Sequence, residues 1–572
     1  MNSTNNSTNK IKVLLCALNS QYVHTNTAVR YIKAYADSHC QNALCEIYEN
    51  NVNSKPETLF HEITEKTPDV YAFSCYIWNI QTVVPLCEHI KTNNPQAVII
   101  LGGPEVSFNP AYYLKNGIAD YVQCGDGEKA MSALFDAIAL GISVPEDLGI
   151  CYNDNGETVL SVPYYERNLT ELESPYTDEY TSALNGRIAY IESSRGCPFS
   201  CAFCLSGSQR SVRYFDMEYV KKSILTLASS GAKTVKFVDR TFNADSNRAE
   251  QIISFILENR HTMPHDICFH FEVAADILKE STIRLLESAP AGLFQIEAGL
   301  QSFNEETLCS VMRKTDTEKI ALNVRRIAQK GNIHTHIDLI AGLPYEDFES
   351  FKKSFDEAYS IGAHKLQLGF LKLIYGSALR EKIKDYGFVF SQEPPYEVRS
   401  TKWISENEMR FLKEAEDACE KISNSGRFKL SLKYVLEKTG ISPFELFLGF
   451  GKKESMPLDE YTGLVLEYFC SFDGIDRAQV RDLMCCDRLA SNSSGRLPEC
   501  LKIADKRLAR ITYLLSLRPE TAPQPNTKRA LCILYSQNRA VYADYPVNGN
   551  KKNEYELKYI NLDVLKEEKL YE

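Results

Sequence analysis

The sequence predicts an α/β protein in three parts: two segments in which strands alternate with helices, and a mainly helical C-terminal region. In the first segment, about residues 11–145, five short apolar runs alternate with helical patterns. Six more such runs occupy about residues 187–395, and from about residue 396 the pattern changes to helices. Apolar strands that alternate with helices form parallel sheets whose two faces are covered.

The first segment predicts a flavodoxin-like doubly wound domain, because five strands alternate with four helices. The predicted strands are 12–18, 44–48, 70–74, 97–101 and 121–124, and the helices between them are 25–38, 56–66, 79–92 and 128–140. The polar residues 1–10 are expected to be a disordered tail. Residues 146–186 are rich in Asp, Glu, Pro, Asn and Tyr, which favours a linker with a small hairpin near 150–163.

The second segment predicts a full or partial (β/α) barrel. Its predicted strands are 188–192, 234–238, 268–273, 293–299, 334–340 and 365–370, with helices such as 216–230 and 246–259. Functional residues of such barrels lie at the C-terminal ends of the strands. In the region 396–572 the clearest helices are 406–423, 430–439 and 459–470, and a strand is expected at 529–536.

Composition narrows the functional classes. The chain has 64 Lys and Arg against 75 Asp and Glu, a net charge of −11. This balance argues against non-specific nucleic-acid binding, which needs a basic surface. No apolar run reaches the length of about 18 residues that spans a bilayer. Most of the 18 cysteines stand singly on apolar stretches, as reduced thiols do, so a cytoplasmic protein is expected.

One group of cysteines has the spacing of metal ligands. Residues 193–204 read SSRGCPFSCAFC, with Cys197, Cys201 and Cys204 in a C-x3-C-x2-C pattern directly after a predicted strand. Three neighbouring thiolates can bind one 4Fe–4S cluster and leave its fourth iron open. The alternative is a structural zinc site, which needs four ligands. No fourth Cys or His with matching spacing follows, and the next histidine is His261.

This stretch resembles the signature of the radical S-adenosylmethionine (SAM) superfamily, including the aromatic residue before the last cysteine, here Phe203. The resemblance implies that SAM binds the open iron. It also implies reductive cleavage of SAM to methionine and a 5′-deoxyadenosyl radical.

The resemblance further implies SAM contacts after the next four barrel strands. The candidate residues, in strand order, are Asp239 and Asn243, Glu272, Glu297 and Gln301, and Leu343 in a Gly-Leu-Pro turn. The segment at 239–243 departs from the Gly-Gly-Glu that the superfamily often has, which leaves direct contact with the SAM amino group open. The alternative for each polar residue is a satisfied group at a strand end.

The N-terminal segment resembles the cobalamin-binding domain that precedes the barrel in one radical SAM subgroup. The candidate contacts are His24, Ser74, Gly102, Gly103, Gly125 and Glu128. The chain lacks the D-x-H-x-x-G motif whose histidine ligates cobalt, so the resemblance implies base-off binding without that ligand. His24 could still contact cobalt or a corrin amide, or be an ordinary loop residue. The domain could also be a scaffold that has lost cobalamin.

Together these features favour a cobalamin-dependent radical SAM enzyme that methylates an unactivated carbon. The expected partners are a small-molecule substrate and an electron donor such as flavodoxin or ferredoxin. No catalytic residue is identified, although Tyr375 and Lys372 lie near the last barrel strand.

Three other interpretations remain open. The same architecture supports cyclisation or rearrangement without methyl transfer. The chain could be a non-enzymatic cobalamin or cluster sensor. A methylthiotransferase would have a second cluster, for which Cys16, Cys75 and Cys124 lie near strand ends of the first sheet.

Overall fold

The computed structural model describes residues 10–208, 211–517, 521, 523, 525–547 and 555–563, so the tail predicted at 1–10 lies outside the described residues except for Lys10. The chain forms two compact units. One comprises the residues through Ser354 with Ile361–His364 and Leu368–Glu406, and the other comprises the remaining residues. Among the described residues, no helix is both long and apolar enough to cross a membrane.

The N-terminal part of the first unit is a seven-stranded sheet with the order β2-β1-β3-β4-β5-β6-β7. Its strands are β1 (Ile11–Asn19), β2 (Ala43–Asn51), β3 (Val70–Ser74), β4 (Val98–Gly102), β5 (Tyr121–Gln123), β6 (Ile150–Asp154) and β7 (Glu157–Val159). The first five are parallel, in the flavodoxin order 2-1-3-4-5, which confirms the predicted fold. The hairpin predicted near 150–163 is β6 and β7, and it extends the sheet through antiparallel pairing of β6 with β5.

Helices cover both faces of this sheet. They are α1 (Thr27–His39), α2 (Pro56–Glu65), α3 (Ile80–Asn93), α4 (Pro104–Ser107), α5 (Pro110–Lys115) and α6 (Glu128–Leu140). Alternate side chains of β1 enter two separate apolar cores, Leu14 on one face and Leu15 on the other. The strand is apolar along most of its length because both of its faces are buried.

The central part of the first unit is a partial barrel of six strands with the order β15-β14-β13-β12-β11-β8. These strands are β8 (Ile188–Ile191), β11 (Thr234–Phe237), β12 (Cys268–Val273), β13 (Phe294–Gln301), β14 (His334–Ala341) and β15 (Lys365–Phe370). Two short ribbons flank them, β9 (Ser194–Arg195) with β10 (Arg213–Tyr214), and β16 (Val389–Phe390) with β17 (Val398–Ser400). The prediction left a full or a partial barrel open, and the structure has the partial form.

The helices of this region are α7 (Asp178–Ser182), α8 (Met217–Ala228), α9 (Ser246–Glu258), α10 (Glu280–Ser288), α11 (Glu305–Ser310), α12 (Thr317–Lys330), α13 (Phe348–Ser360) and α14 (Ile383–Tyr386). Val235 and Phe237 of β11 enter the apolar core shared with the helices. Because side chains alternate along a strand, Lys236 between them faces the barrel interior.

The second unit contains the helical region. Its helices are α15 (Glu406–Ala418), α16 (Lys429–Thr439), α17 (Pro443–Phe450), α18 (Leu458–Cys470), α19 (Arg477–Ser491) and α20 (Arg507–Leu517). The strand predicted at 529–536 is present as β18 (Thr527–Leu534), and it pairs antiparallel with β19 (Arg539–Pro546), which pairs with β20 (Lys558–Asn561). The mainly helical prediction is confirmed, with a three-stranded sheet in addition.

Candidate functional site

The three motif cysteines lie in a loop after β8, the first barrel strand. We call the described residues 196–208 and 211–212 the cluster loop. Its base is closed by β9 and β10, which pair antiparallel with Arg213 opposite Arg195. Gly196 has φ +96°, and a Cβ there would lie 2.2 Å from the backbone oxygen of Ser211. A glycine is required at this position because any side chain would force the loop open.

The three thiols differ in burial and in their polar neighbours. Cys197 and Cys201 are buried, and Cys204 is half-buried. Burial raises the pKa of the Cys201 thiol, and the positive charge of Arg313 opposes that rise. Arg313 Nη1 donates a hydrogen bond to Cys201 Sγ at 3.5 Å, and Thr241 Oγ1 lies 3.4 Å from Cys197 Sγ. A cationic donor favours the thiolate, which is the form that binds iron.

This donor set fits a 4Fe–4S cluster. Within the described part of the chain, no three His, Cys, Asp or Glu side chains converge on a point as the ligands of a single ion do. In a cubane each thiolate binds its own iron, so the three sulfurs need not converge.

Asp239 and Asn243 bind the protein itself. Asp239 is buried, and its carboxylate accepts hydrogen bonds from Ser193 N at 2.9 Å and from the hydroxyls of Ser193 and Ser194 at 2.6 Å each. Burial raises its pKa, and these hydrogen bonds oppose the rise. Asn243 exchanges two hydrogen bonds with the backbone of Ala274. Asp239 therefore holds the segment that precedes the cysteines, and Asn243 joins the segments that follow β11 and β12. Contact of either side chain with SAM stays a prediction.

Glu272 and Glu297 belong to a charged cluster in the barrel interior. Lys236 Nζ lies 3.4 Å from Glu272 Oε1 and 3.6 Å from Glu297 Oε2. His270 Nε2 lies 3.0 Å from the same oxygen of Glu297. The hydrogen bond with His270 is the largest cause that lowers the pKa of Glu297 to about 2. Sequence reasoning missed Lys236 and His270, although each stands between two apolar residues of a strand.

Among the buried side-chain atoms without a partner in the described residues are one atom at the end of β13 and one within β14. They are Oε1 of Gln301 in β13 and Oδ1 of Asp338 in β14. Gln301 has φ +74° where the pairing of β13 with β14 shifts register. Burial, followed by the charges of Glu297 and Glu272, raises the pKa of Asp338 to about 8. Buried polar atoms normally have partners, so these two fit a polar ligand such as SAM.

Phe203 and Leu343 lie in one apolar cluster. Leu343 is fully buried, and Phe203 is partly buried against the same group, which includes Ala202 and Val311. Ala202 N also donates to Val311 O at 2.8 Å. Phe203 of the cluster loop thus packs against the same apolar cluster as Leu343. Adenine contact by the turn at Leu343 stays a prediction.

His24 lies against the barrel. Its Nδ1 is 2.6 Å from the hydroxyl of Tyr190 in β8. Burial lowers the pKa of His24, with further contributions from the charges of Lys236 and Arg187. The neutral ring is therefore engaged by a barrel tyrosine, which gives it a role that requires no cobalt.

Two of the predicted glycines have reasons within the protein. A Cβ at Gly103 would lie 2.5 Å from the backbone oxygen of Cys75, and one at Gly125 would lie 2.0 Å from that of Tyr164. Both have positive φ, so they permit tight turns. At Gly102 a Cβ would meet only ordinary contacts.

Glu128 joins the N-terminal domain to the cluster loop. Its Oε1 accepts a hydrogen bond from Arg195 Nη2 at 2.6 Å, and the Glu128 side chain is 6% exposed. Arg195 stands two residues before the first cysteine. The sequence motif that suggested a cofactor contact thus contains a connection to the barrel.

The C-terminal edge of the N-terminal sheet fits a large ligand near Ser74. Ser74 Oγ accepts a hydrogen bond from Asn26 Nδ2 at 3.1 Å. Trp78 stacks on Tyr76 at 4.2 Å and remains 47% exposed. An exposed aromatic wall beside small residues, at the switch point of a doubly wound sheet, suits a bulky cofactor such as cobalamin.

This fold and this site define a radical SAM domain preceded by a corrinoid-binding domain. Family models agree: residues 191–358 match the radical SAM superfamily, and residues 13–135 match the B12 binding domain. The chain therefore contains a radical SAM domain at residues 191–358 and a B12-binding domain at residues 13–135. Residues 384–521 match a family described as a protein of unknown function (DUF4080).

Two relatives with assigned names are similar to about half of the chain. The chain is 27% identical over 351 residues to the cobalamin-dependent radical SAM methyltransferase TokK of Streptomyces tokunonensis, covering 56% of this chain and 49% of the relative. It is 26% identical over 332 residues to 2-(S-pantetheinyl)-carbapenam-3-carboxylate methyltransferase of Streptantibioticus cattleyicolor, covering 52% and 46%. The chain thus spans about half the length of these curated relatives.

A solved structure shares the fold. The cobalamin-dependent S-adenosylmethionine radical enzyme OxsB, with aqua-cobalamin and S-adenosylmethionine bound, superposes with a TM-score of 0.60 at 15% identity. The match covers 84% of this chain and 79% of that one.

Proposed function

We propose that the chain is a cobalamin-dependent radical SAM enzyme that methylates an unactivated carbon of a small molecule. The observation that carries the proposal is the three-thiol loop at the end of β8, in the same compact unit as a B12-binding domain. Two relatives that align with about half of the chain are methyltransferases by name. The cluster and SAM supply one-electron cleavage of a carbon–sulfur bond, and cobalamin supplies a methyl carrier.

The residues around the cysteines prepare the loop for a cluster. Cys197, Cys201 and Cys204 would hold three irons, and Arg313 would stabilise the thiolate of Cys201 through its hydrogen bond. Asp239 anchors the strand-to-loop junction through three hydrogen bonds. The chain's contribution is to fix the position of groups that react with whatever lies nearest.

The barrel interior would bind SAM. Gln301 and Asp338 each offer one buried atom that lacks a partner, and the hydrogen bond with His270 keeps the pKa of Glu297 low. Burial and the charges of Glu297 and Glu272 raise the pKa of Asp338 to about 8, which favours the protonated carboxyl, a hydrogen-bond donor. These groups would orient a polar ligand without reorganisation.

The reaction would need a one-electron reductant, for which we propose flavodoxin or ferredoxin. We place it in the cytoplasm because all 18 cysteines are free thiols, as a reducing compartment maintains them.

The proposal is tested with protein reconstituted with iron and sulfide without oxygen, then incubated with SAM, hydroxocobalamin and a low-potential reductant. Release of 5′-deoxyadenosine is expected, and the Cys201→Ser variant should abolish it together with bound iron. Cys309→Ser is the matched control, since Cys309 is exposed and outside the cluster loop. Full iron binding with no 5′-deoxyadenosine in the wild type would refute the proposal.

A further inference from the structure

The base of the cluster loop is attached to the B12-binding domain by two arginines. Arg195 and Arg213 lie opposite each other in the β9–β10 ribbon that closes the loop. Arg195 Nη2 donates to Glu128 Oε1 at 2.6 Å, and Arg213 Nη1 donates to Asp126 Oδ2 at 2.5 Å. Asp126 lies in the short segment that joins β5 to α6, and Glu128 is the first residue of α6.

The attachment is buried and cross-connected. The side chains of Arg195, Arg213 and Asp126 are 12–13% exposed, and that of Glu128 is 6% exposed. Arg195 also lies 3.7 Å from Asp126, so both arginines face the same carboxylate. Each side chain therefore has little freedom to change partners without exposing a buried charge.

Further contacts fix the orientation of each partner. Arg195 Nε and Nη2 donate to Glu192 at 3.0 and 2.8 Å, and its guanidinium lies 5.1 Å from the ring of Tyr31. Asp126 Oδ2 also accepts from Glu166 N at 3.0 Å. A planar guanidinium held at several donors resists rotation, which a lysine could not do.

We infer that Arg195 and Arg213 are positioning residues that lock the cluster loop to the Asp126–Glu128 segment and so set the spacing between the two cofactor-bearing parts of the chain. This inference rests on the proposed function for its purpose, although the lock itself belongs to the protein without cofactors. Radical transfer depends steeply on placement, because a shift of about 1 Å can cost about a hundredfold in rate. Ion pairs on both strands of the ribbon oppose both translation and rotation of the loop.

The test changes the carboxylates that accept from the two arginines, so that the sequence of the cluster loop and of its ribbon stays the same. Glu128→Gln removes one acceptor charge, and Asp126→Asn is a second variant in case the first does not fold. The matched control is Glu49→Gln. Glu49 is also a buried carboxylate of the N-terminal domain, and it pairs at 3.3 Å with Arg187, which precedes β8.

The first measurement is amide hydrogen exchange of the full chain without cofactors. Glu128→Gln should accelerate exchange in residues 196–208 and 211–212 by about tenfold, which corresponds to about 1.4 kcal/mol in the local opening equilibrium. Glu49→Gln should leave this segment unchanged. Unchanged exchange in Glu128→Gln, or equal acceleration in both variants, would overturn the inference.

The second measurement uses protein loaded with cluster and cobalamin. Pulsed electron paramagnetic resonance between cob(II)alamin and the reduced cluster should show a wider distribution of distances in Glu128→Gln than in the wild type and in Glu49→Gln. Iron content and corrinoid binding should stay at wild-type levels. Loss of corrinoid with unchanged loop exchange would show that Glu128 is a corrin contact and overturn the inference. If the wild type binds neither cofactor, the proposed function is refuted. The exchange result still tests whether the two arginines hold the cluster loop against the Asp126–Glu128 segment.

Discussion

At the scale of single residues, the candidate site separates into side chains that bind the protein and side chains that remain available. The polar atoms of Asp239 and Asn243 form hydrogen bonds with the backbone and the hydroxyls of neighbouring loops. Gln301 and Asp338 each retain a buried atom without a partner. The sequence identified Gln301 from its strand-end position, but it could not reveal Asp338, whose isolation depends on how β13 and β14 meet.

Asp239 should be important for the cluster loop even without metal. Asp239→Asn would replace a charged acceptor with an amide that presents N–H groups to the donors of Ser193 and Ser194. The free energy of unfolding should fall by about 1–3 kcal/mol, the cost of unsatisfied buried donors. Urea unfolding of the apoprotein measures this change. Asp245→Asn, at the exposed start of α9, is the control and should cost less; equal costs would contradict the assigned role.

Asp338 should make stability depend on pH. Its pKa is about 8 in the folded protein and about 3.9 in an unfolded chain. Between about pH 4 and pH 8 the folded state therefore binds the additional proton. The free energy of unfolding should fall as pH rises through this window, by up to about 1.4 kcal/mol per pH unit, and level off above it.

The Asp338→Asn variant isolates this effect. Glu297, with its pKa of about 2, stays ionised throughout the window, and the raised pKa of Glu346 acts equally in both proteins. Urea midpoints of the apoprotein from pH 5 to pH 8 should decline less steeply in the variant. Parallel curves for the two proteins would refute the assignment.

At the scale of elements, strand periodicity predicted the barrel strands closely, since their buried positions are mainly apolar. Lys236 and His270 break the apolar runs of β11 and β12, and this alternation was the available signal for a polar barrel interior. The antiparallel ribbon at the cluster loop could not be predicted, because β9 and β10 have two residues each and owe their pairing to contacts outside the ribbon.

Gly196, which directly follows β9, is the critical position at the base of the cluster loop. Gly196→Ala would place a Cβ 2.2 Å from the Ser211 oxygen, so the loop base must open. Bound iron per chain after reconstitution should drop well below the wild-type value. Gly292→Ala is the control: it also has positive φ, but its Cβ would meet nothing within 4 Å, so it should cost only about 1–2 kcal/mol of stability and no iron. Retention of full iron by Gly196→Ala would contradict this account.

At the scale of the whole molecule, composition and β/α alternation sufficed for the architecture of the N-terminal domain and the barrel. The junction between these parts was beyond sequence reasoning. The cofactor contact expected at Glu128 stays a prediction, and the structure pairs this side chain with Arg195, 67 residues along the chain. An ion pair between distant residues depends on how the N-terminal domain and the barrel pack together, and no local sequence pattern predicts that packing.

The central claim is that three thiolates hold a cluster with one iron open to SAM, beside a bound corrinoid. Electron paramagnetic resonance of the anaerobically reduced protein, before and after addition of SAM, tests it most directly. The account predicts a 4Fe–4S signal whose shape changes when SAM is added, together with a cob(II)alamin signal in the untreated sample. A cluster signal that SAM leaves unchanged, or zinc in place of iron, would contradict it.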